Sequence, residues 1–416
     1  MTKPDKALLP MGGLLGRRSL LKASTMSVAG GFLLPTQAAA VPMWSTRSGS
    51  AQSEYGARSA FVKESRQVAF GNSFGPEAGV SYTPLATLNG SITPNSLHFE
   101  RHHSGIPAID PAQHSLTIYG EVKRPLRFTV DDLLAYPLES HCYFLECSGN
   151  SYLNTFAQAQ DLSVQALHGL VSGAEWTGVP LRYLLDEAGV HTSARWIVAE
   201  GADASGHTRS LPIDMARDKV LVALYQNGEA LRPAQGYPMR LFVPGSEGNV
   251  SVKWLHKIKL QKTPAYSREE TSKYTDLLKN GKAEMFSFEM QVKSVITSPS
   301  GTMGLQRRGV YEISGLAWSG GGAIRSVEVS ADGGQNWVAA ILQSQGGPQA
   351  LTRFRIPWRW QGQAAVLQSR AIDSAGNIQP SKEQALAKYS VAGFYHYNGI
   401  QSWAVDPSGR VKNVFV

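Results

Sequence analysis

Residues Tyr143-Phe144-Leu145-Glu146-Cys147-Ser148-Gly149-Asn150 read as an apolar strand running into a tight turn, with a thiol at the strand's exit. Scaffolds present reactive groups at such exits, and a glycine beside the thiol lets a bulky group approach the backbone. A thiolate is a soft, strongly donating ligand suited to a high-valent or thiophilic metal. A lone Cys is more often a small buried hydrophobe, and Cys142 keeps that reading. These are the only two cysteines in 416 residues, which excludes a disulfide scaffold and Cys-rich zinc sites. Lying five residues apart on one extended run, they are also awkward to bridge.

Outward from this strand the pattern stays mixed. Strand-like runs cover residues 116–122, 196–200, 220–225 and 239–243, with Asn227-Gly228 as a turn after the third. Helical patterns cover 162–170 and 181–188, and Thr129 followed by Asp131 and Asp132 predicts a helix start. Residues 252–260 alternate apolar and polar side chains as a half-buried strand does. Residues 261 to about 288 are polar and charged, the composition of a long connection. After about residue 289 the texture changes to short alternating strands at 311–318, 326–330, 352–356 and 364–370. Turns punctuate them at 319–322, Asp332-Gly333-Gly334 and 373–377, the spacing of an immunoglobulin-like β-sandwich.

The first forty residues have a chemistry of their own. Arg17-Arg18-Ser19-Leu20-Leu21-Lys22 precedes a short apolar stretch and Thr36-Gln37-Ala38-Ala39-Ala40, which reads as a twin-arginine export signal. The stretch is too short for a confident membrane span, and no later segment approaches 18 apolar residues. This leader carries half of the formal charge of +8. The remaining excess, without a run of Lys and Arg, argues weakly for anionic substrates and hardly at all for nucleic acid. Residues 41–90, rich in Ser, Gly, Thr and Pro, read as an irregular lead-in.

Two further clusters carry polar chemistry. His98-Phe99-Glu100-Arg101-His102-His103 puts adjacent histidines on opposite sides of an extended chain, a poor chelate for one metal. Arg101 can instead grip an oxyanion bidentately, with His103 donating to the same group; a solvated polar loop is the plainer alternative. From Gln235 to Trp254, Pro and Gly fix a loop at a strand exit, with Arg240 and Lys253 as flanking phosphate donors. No Gly-x-Gly-x-x-Gly follows a strand and no phosphate loop occurs, which disfavours dinucleotide enzymes.

In this order, the Arg-x-His segment at 101–103, the Cys-x-Gly-Asn loop at 147–150 and the run Gly236-Tyr237-Pro238-Met239-Arg240, Pro244-Gly245, Val252-Lys253-Trp254 resemble the sulfite oxidase family of molybdenum oxidoreductases. The likeness spans nearly all the chain after the leader. It includes Trp318-Ser319-Gly320-Gly321-Gly322 and residues 329–337, which resemble the family's dimerisation domain. The implied fold is α+β: an irregular segment at 41–90, then a mixed molybdopterin-binding catalytic domain at 91–288 and an immunoglobulin-like dimerisation domain at 289–416.

The resemblance implies that Cys147 ligates molybdenum. It also implies that Phe99, Glu100, Arg101, His102, His103, Asp203, Gln235, Arg240, Ser251, Val252 and Lys253 contact the molybdopterin cofactor. Arg101, Tyr225 and Arg355 join Cys147 as the implied catalytic set, Arg355 reaching the substrate pocket from the second domain. The chain departs from the family at three points. Gln235 stands where animal enzymes have His; Ser151 and Tyr152 stand where an Arg follows the ligand Cys; Tyr225 lies one place nearer the Asn-Gly turn than the family's active-site Tyr, a position held here by Leu224.

Cys147-Ser148-Gly149-Asn150-Ser151 and Arg101-His102-His103-Ser104-Gly105-Ile106-Pro107 are most similar to the sulfane dehydrogenase subunits of bacterial Sox sulfur oxidation. This implies a periplasmic enzyme transferring an oxygen atom to a sulfur-carrier protein's sulfane or to a small sulfur oxyanion. It also implies electrons passed to a c-type cytochrome subunit, and a homodimer of this chain within a hetero-oligomer. No Cys-x-x-Cys-His motif occurs, so the electrons need another polypeptide. Direct sulfite dehydrogenation and reduction of sulfoxide-like substrates are the alternatives on the same fold. An exported immunoglobulin-like binding protein without metal is the alternative from another class.

Overall fold

The segment Leu181-Arg182-Tyr183-Leu184-Leu185-Asp186-Glu187-Ala188 is a helix because Leu181, Leu184, Leu185 and Ala188 fall on one face and are fully buried. Pro180 opens it and Gly189, at φ 70°, closes it in the left-handed conformation. A capping box does the same for the helix Val130–Leu134, where the Thr129 and Asp132 side chains satisfy each other's backbone N–H groups. A computed structural model describes residues 43–69, 77–343 and 347–416. The leader read at 1–40 lies outside them.

Two five-stranded sheets form the first domain. One is antiparallel throughout, with Glu139–Glu146, Val171–Pro180, Leu221–Gln226 and Glu229–Ala230 in spatial order and Arg240–Phe242 also paired to Leu221–Gln226. The other runs Leu126–Phe128, Leu116–Gly120, Leu255–Gln261, Trp196–Gly201 and Thr208–Pro212, with Leu116–Gly120 parallel to Leu255–Gln261. Their facing sides and the short helices close around one apolar core that includes Ile118, Leu185, Ile197, Val222, Leu241 and Ile258. The antiparallel sheet's other face packs Tyr143, Leu145, Trp176 and Phe242 against Val80 and Phe99. That second face positions the site.

The second domain is a sandwich of a four-stranded sheet (Lys293–Ser298, Gly309–Trp318, Thr352–Trp360, Ile341–Gln343) and a five-stranded one (Val338–Ala339, Ile324–Ser330, Ala365–Asp373, Ser402–Val405, Val411–Val414). Its core continues into the first domain, since Phe144, Val164, Leu167 and Val171 belong to the same buried cluster as Trp318, Phe354 and Trp358. Among the described residues no helix is long and apolar enough to cross a membrane.

Two stretches read as irregular are structured. Gly79–Tyr82 is a strand, paired on one side with Gln67–Ala69 and on the other with Glu100–His102, so it sets the register of the His-rich cluster. The connection after residue 261 carries the capped turn Arg268–Thr271 and the hairpin of Asp276–Leu277 with Ala283–Glu284. Neither has an apolar period, because their ladders are short and half exposed.

Because Phe144 packs in the core shared by both domains, Phe144→Ala should cost about 3–5 kcal/mol. Denaturant unfolding followed separately by signals from each domain should show both transitions shifted; a shift confined to one would contradict the shared core.

Candidate functional site

Cys147 sits one residue past the strand Glu139–Glu146, where its N–H donates to Leu170 O at 2.9 Å and its carbonyl accepts from Asn150 N at 2.9 Å. The neighbouring strand thus fixes the point where the chain leaves the sheet. A third segment presses in from the side: a Cβ on Gly248 would lie 2.8 Å from Glu146 O, so only glycine admits this approach. Gly149 leaves the thiol open, since a Cβ there would stand 3.9 Å from Cys147 Sγ. Burial pushes the thiol's pKa up, while the Gly149 N–H and the charge of Arg101 act in the opposite sense.

The thiol opens into a solvent-connected cavity. Phe99, Glu100, Arg101, His102 and His103 form one wall, Asp203 and His207 another, and Gln235, Arg240, Gly248, Asn249, Ser251, Lys253 and Trp254 a third. Tyr274 closes it. Lys253 fastens two walls together, its ammonium lying 3.0 Å from Arg101 O, 3.1 Å from Ala234 O and 2.8 Å from His102 Nδ1. Burial holds the Lys253 pKa well below its ordinary value. His103 is kept neutral, its pKa pushed down to about 3 by burial and then by Arg101. Its Nε2 lies 3.1 Å from the Tyr274 hydroxyl, whose pKa is raised by burial and by the nearby Cys147 thiol.

The cavity is built for an anion with a polar tail. Arg240 is only 2% exposed, yet among the described residues no carboxylate pairs with it. Its two terminal nitrogens donate to Gln235 O (3.1 Å) and Ser251 O (2.7 Å), its Nε has no partner, and burial lowers its pKa to about 9. A buried cation in that state is costly until an anion joins it. His207 Nδ1 and Asn249 Oδ1 are likewise buried without partners on residues that line the cavity. Among the described residues no three His, Cys, Asp or Glu side chains converge as metal ligands. The donor set therefore fits a phosphate-bearing pterin that brings most of its metal's ligands, with the Cys147 thiolate completing them.

Behind the cavity Glu247 is buried with Arg209 (3.0 Å), Asn249 Nδ2 (2.6 Å) and His396 Nε2 (3.3 Å). Burial alone would raise its pKa, but Arg209 and His396 outweigh that and bring it to about 2.

Most of the residues singled out from sequence line this one cavity, and three do not. Val252 is 1% exposed and packs in the core between the sheets, on the bend that precedes Leu255–Gln261, where its carbonyl accepts from Leu241 N. Tyr225 packs against that same core, as does Leu224, beside a register shift between Ala223 and Tyr225. Arg355 lies on the second domain's strand Thr352–Trp360, paired with Glu312 and donating to Gln343 Oε1 at 2.7 Å. In place of Tyr225, the cavity's tyrosine is Tyr274. Sequence reading missed it, with His207, Asn249 and Trp254, because Tyr274 lies in a charged stretch without periodicity.

Residues 103–269 match the family described as the oxidoreductase molybdopterin binding domain, and residues 284–402 the Mo-co oxidoreductase dimerisation domain. The chain is 30% identical to mitochondrial sulfite oxidase of Mus musculus over 71% of its own length and 59% of that protein's. It is 31% identical to NADH nitrate reductase of Solanum lycopersicum over 73% of its length and 38% of that protein's. The chain thus spans little more than half, or less, of these curated relatives. Its structure superposes on the sulfane dehydrogenase SoxCD from Paracoccus pantotrophus with a TM-score of 0.88 and 42% identity, covering 93% of this chain and all of that one.

Glu247 binds its proton more weakly folded than unfolded, where its value is 4.5, so the stability it contributes is present above about pH 4.5 and lost as pH falls towards 2. A displacement of that size corresponds to on the order of 3 kcal/mol. Glu247→Gln should therefore narrow the gap in Tm between pH 7 and pH 3; an unchanged gap would mean that the pair contributes nothing to acid stability.

Proposed function

This chain belongs to the sulfite oxidase family of molybdenum oxidoreductases, and on that footing we propose that it oxidises sulfane sulfur presented on a carrier, acting in the periplasm with a c-type cytochrome as electron acceptor. The observation that carries the reading is the pairing of the Cys147 thiol with a partly aromatic cavity that holds Arg101, Arg240 and Lys253, in a fold that superposes over the whole of the matched sulfane dehydrogenase chain. Ser151 and Tyr152 stand where an Arg follows the ligand Cys in animal sulfite oxidases. Arg101 lines the cavity and its charge acts on the Cys147 thiol, and one guanidinium there suits a substrate with one negative charge better than a doubly charged oxyanion.

The molybdenum cofactor, when bound, supplies the oxygen atom and accepts two electrons. The protein's part follows from the residues. The Cys147 thiolate ligates and tunes the metal. The Arg240 guanidinium, the His207 Nδ1 and the Asn249 Oδ1 answer the cofactor's polar groups. Arg101 holds the substrate's negative charge beside the reacting atom, and the Tyr274 hydroxyl, 3.1 Å from His103 Nε2, is an O–H group lining the same cavity. The leader's paired arginines support export of the folded, cofactor-loaded chain.

Protein purified from a molybdate-supplied host should carry stoichiometric molybdenum, and Cys147→Ser should keep its circular dichroism while losing turnover; full activity in that variant would end the proposal. Arg101→Met should lower kcat/KM by about 10- to 100-fold, the range for one charge-assisted hydrogen bond. Initial rates with carrier-bound sulfane, sulfite and sulfoxides decide the substrate, and faster turnover of sulfite would sink the sulfane assignment.

A further inference from the structure

The turn that carries Cys147 is clamped from the other domain. Lys293, the first residue of the strand Lys293–Ser298, has a side chain only 2% exposed. Its ammonium donates to Glu146 Oε1 at 2.9 Å and to Ser151 Oγ at 2.7 Å. One cation therefore joins the residue before Cys147 to the residue that ends the turn. Glu146 Oε1 also accepts from Asn150 Nδ2 at 2.9 Å, and Glu146 Oε2 from the second domain's Trp318 Nε1 at 2.6 Å. Asn150 Oδ1 takes the Leu170 N–H, and Ser151 Oγ lies 2.6 Å from His168 Nδ1. Ser151 itself is held at φ 71°, a conformation a non-glycine residue adopts only when its surroundings impose it.

Such an arrangement is costly to maintain for stability alone. Two ions lie fully out of water, where a well-packed apolar pair of similar volume is commonly as stable or more so. What the pair supplies instead is geometry: each of its hydrogen bonds fixes either an end of the turn or the carboxylate that ties those ends together. We propose that Lys293 is a positioning residue for the Cys147 ligand, so that the second domain, besides any part in dimerisation, sets the direction from which the thiolate meets the metal. This rests on the proposed ligation by Cys147.

The test uses the cofactor-loaded full chain and two variants. Lys293→Met removes the clamp and leaves the Glu146 charge unpaired; Lys293→Met with Glu146→Gln removes the clamp and leaves the net charge of the wild type. The readouts are the thiolate-to-molybdenum absorption band and the rate at which cofactor is lost on dialysis. Both variants should show a displaced band and cofactor loss about 10- to 100-fold faster, the usual consequence of deleting an outer-shell partner. The double variant should recover thermal stability without recovering the band. A double variant whose band and retention match the wild type would overturn the proposal, because the effect of Lys293 would then be one of charge and not of position. Should the single variant fail to fold, the double decides alone. If wild-type protein shows no thiolate-to-molybdenum band, it is the ligation by Cys147 that fails, a result separable from any behaviour of the variants.

Discussion

A thiol at the end of a buried strand can be aimed only by groups that are not part of that strand. Here the constraint is the meeting of three backbones at Cys147: its own turn, the Leu170 carbonyl that takes its N–H, and Gly248 pressed against the preceding carbonyl. Everything else in the first domain serves that junction. The antiparallel sheet delivers the strand, the Trp176 and Phe242 face supports it, and the 235–254 segment arrives through Arg240–Phe242 at the sheet's edge.

The cavity's electrostatics follow from the same economy of placement. Its cations are not interchangeable. Lys253 joins two walls, Arg240 has no carboxylate partner among the described residues, and Arg101 lines the cavity where its charge acts on the thiol. The neutral His103 adds no charge, because burial beside Arg101 keeps its proton off. A pocket so arranged sets one guanidinium deep in the protein and a second where its charge acts on the thiol.

Much of this was legible in the sequence, for reasons that can be stated. Leu181–Ala188 declares itself because one face is buried, and Glu139–Glu146 because it ends in a short apolar run, buried on both faces, that stops at a turn. The three motifs around Arg101, Cys147 and Arg240 converge as a unit because each lies in or beside a strand end that lines the same cavity. Tyr274 stayed hidden because it lies in a polar connection beside a short half-exposed hairpin that leaves no periodic trace, and His207 because it lies in the turn between Trp196–Gly201 and Thr208–Pro212. Tyr225 misled for a local reason: a motif counted from the Asn-Gly turn cannot register the shift between Ala223 and Tyr225 that turns the side chain to the core.

The parallel pairing of Leu116–Gly120 with Leu255–Gln261 has a consequence for how the enzyme is made. Its two strands are separated by most of the first domain, and the cavity's walls are drawn from Phe99 through to Tyr274. During synthesis no nascent fragment ending before Tyr274 can offer a complete receptacle, and closure of this long-range sheet is intrinsically slow. A complete receptacle therefore exists only once about two thirds of the polypeptide has been made and its distant segments have met.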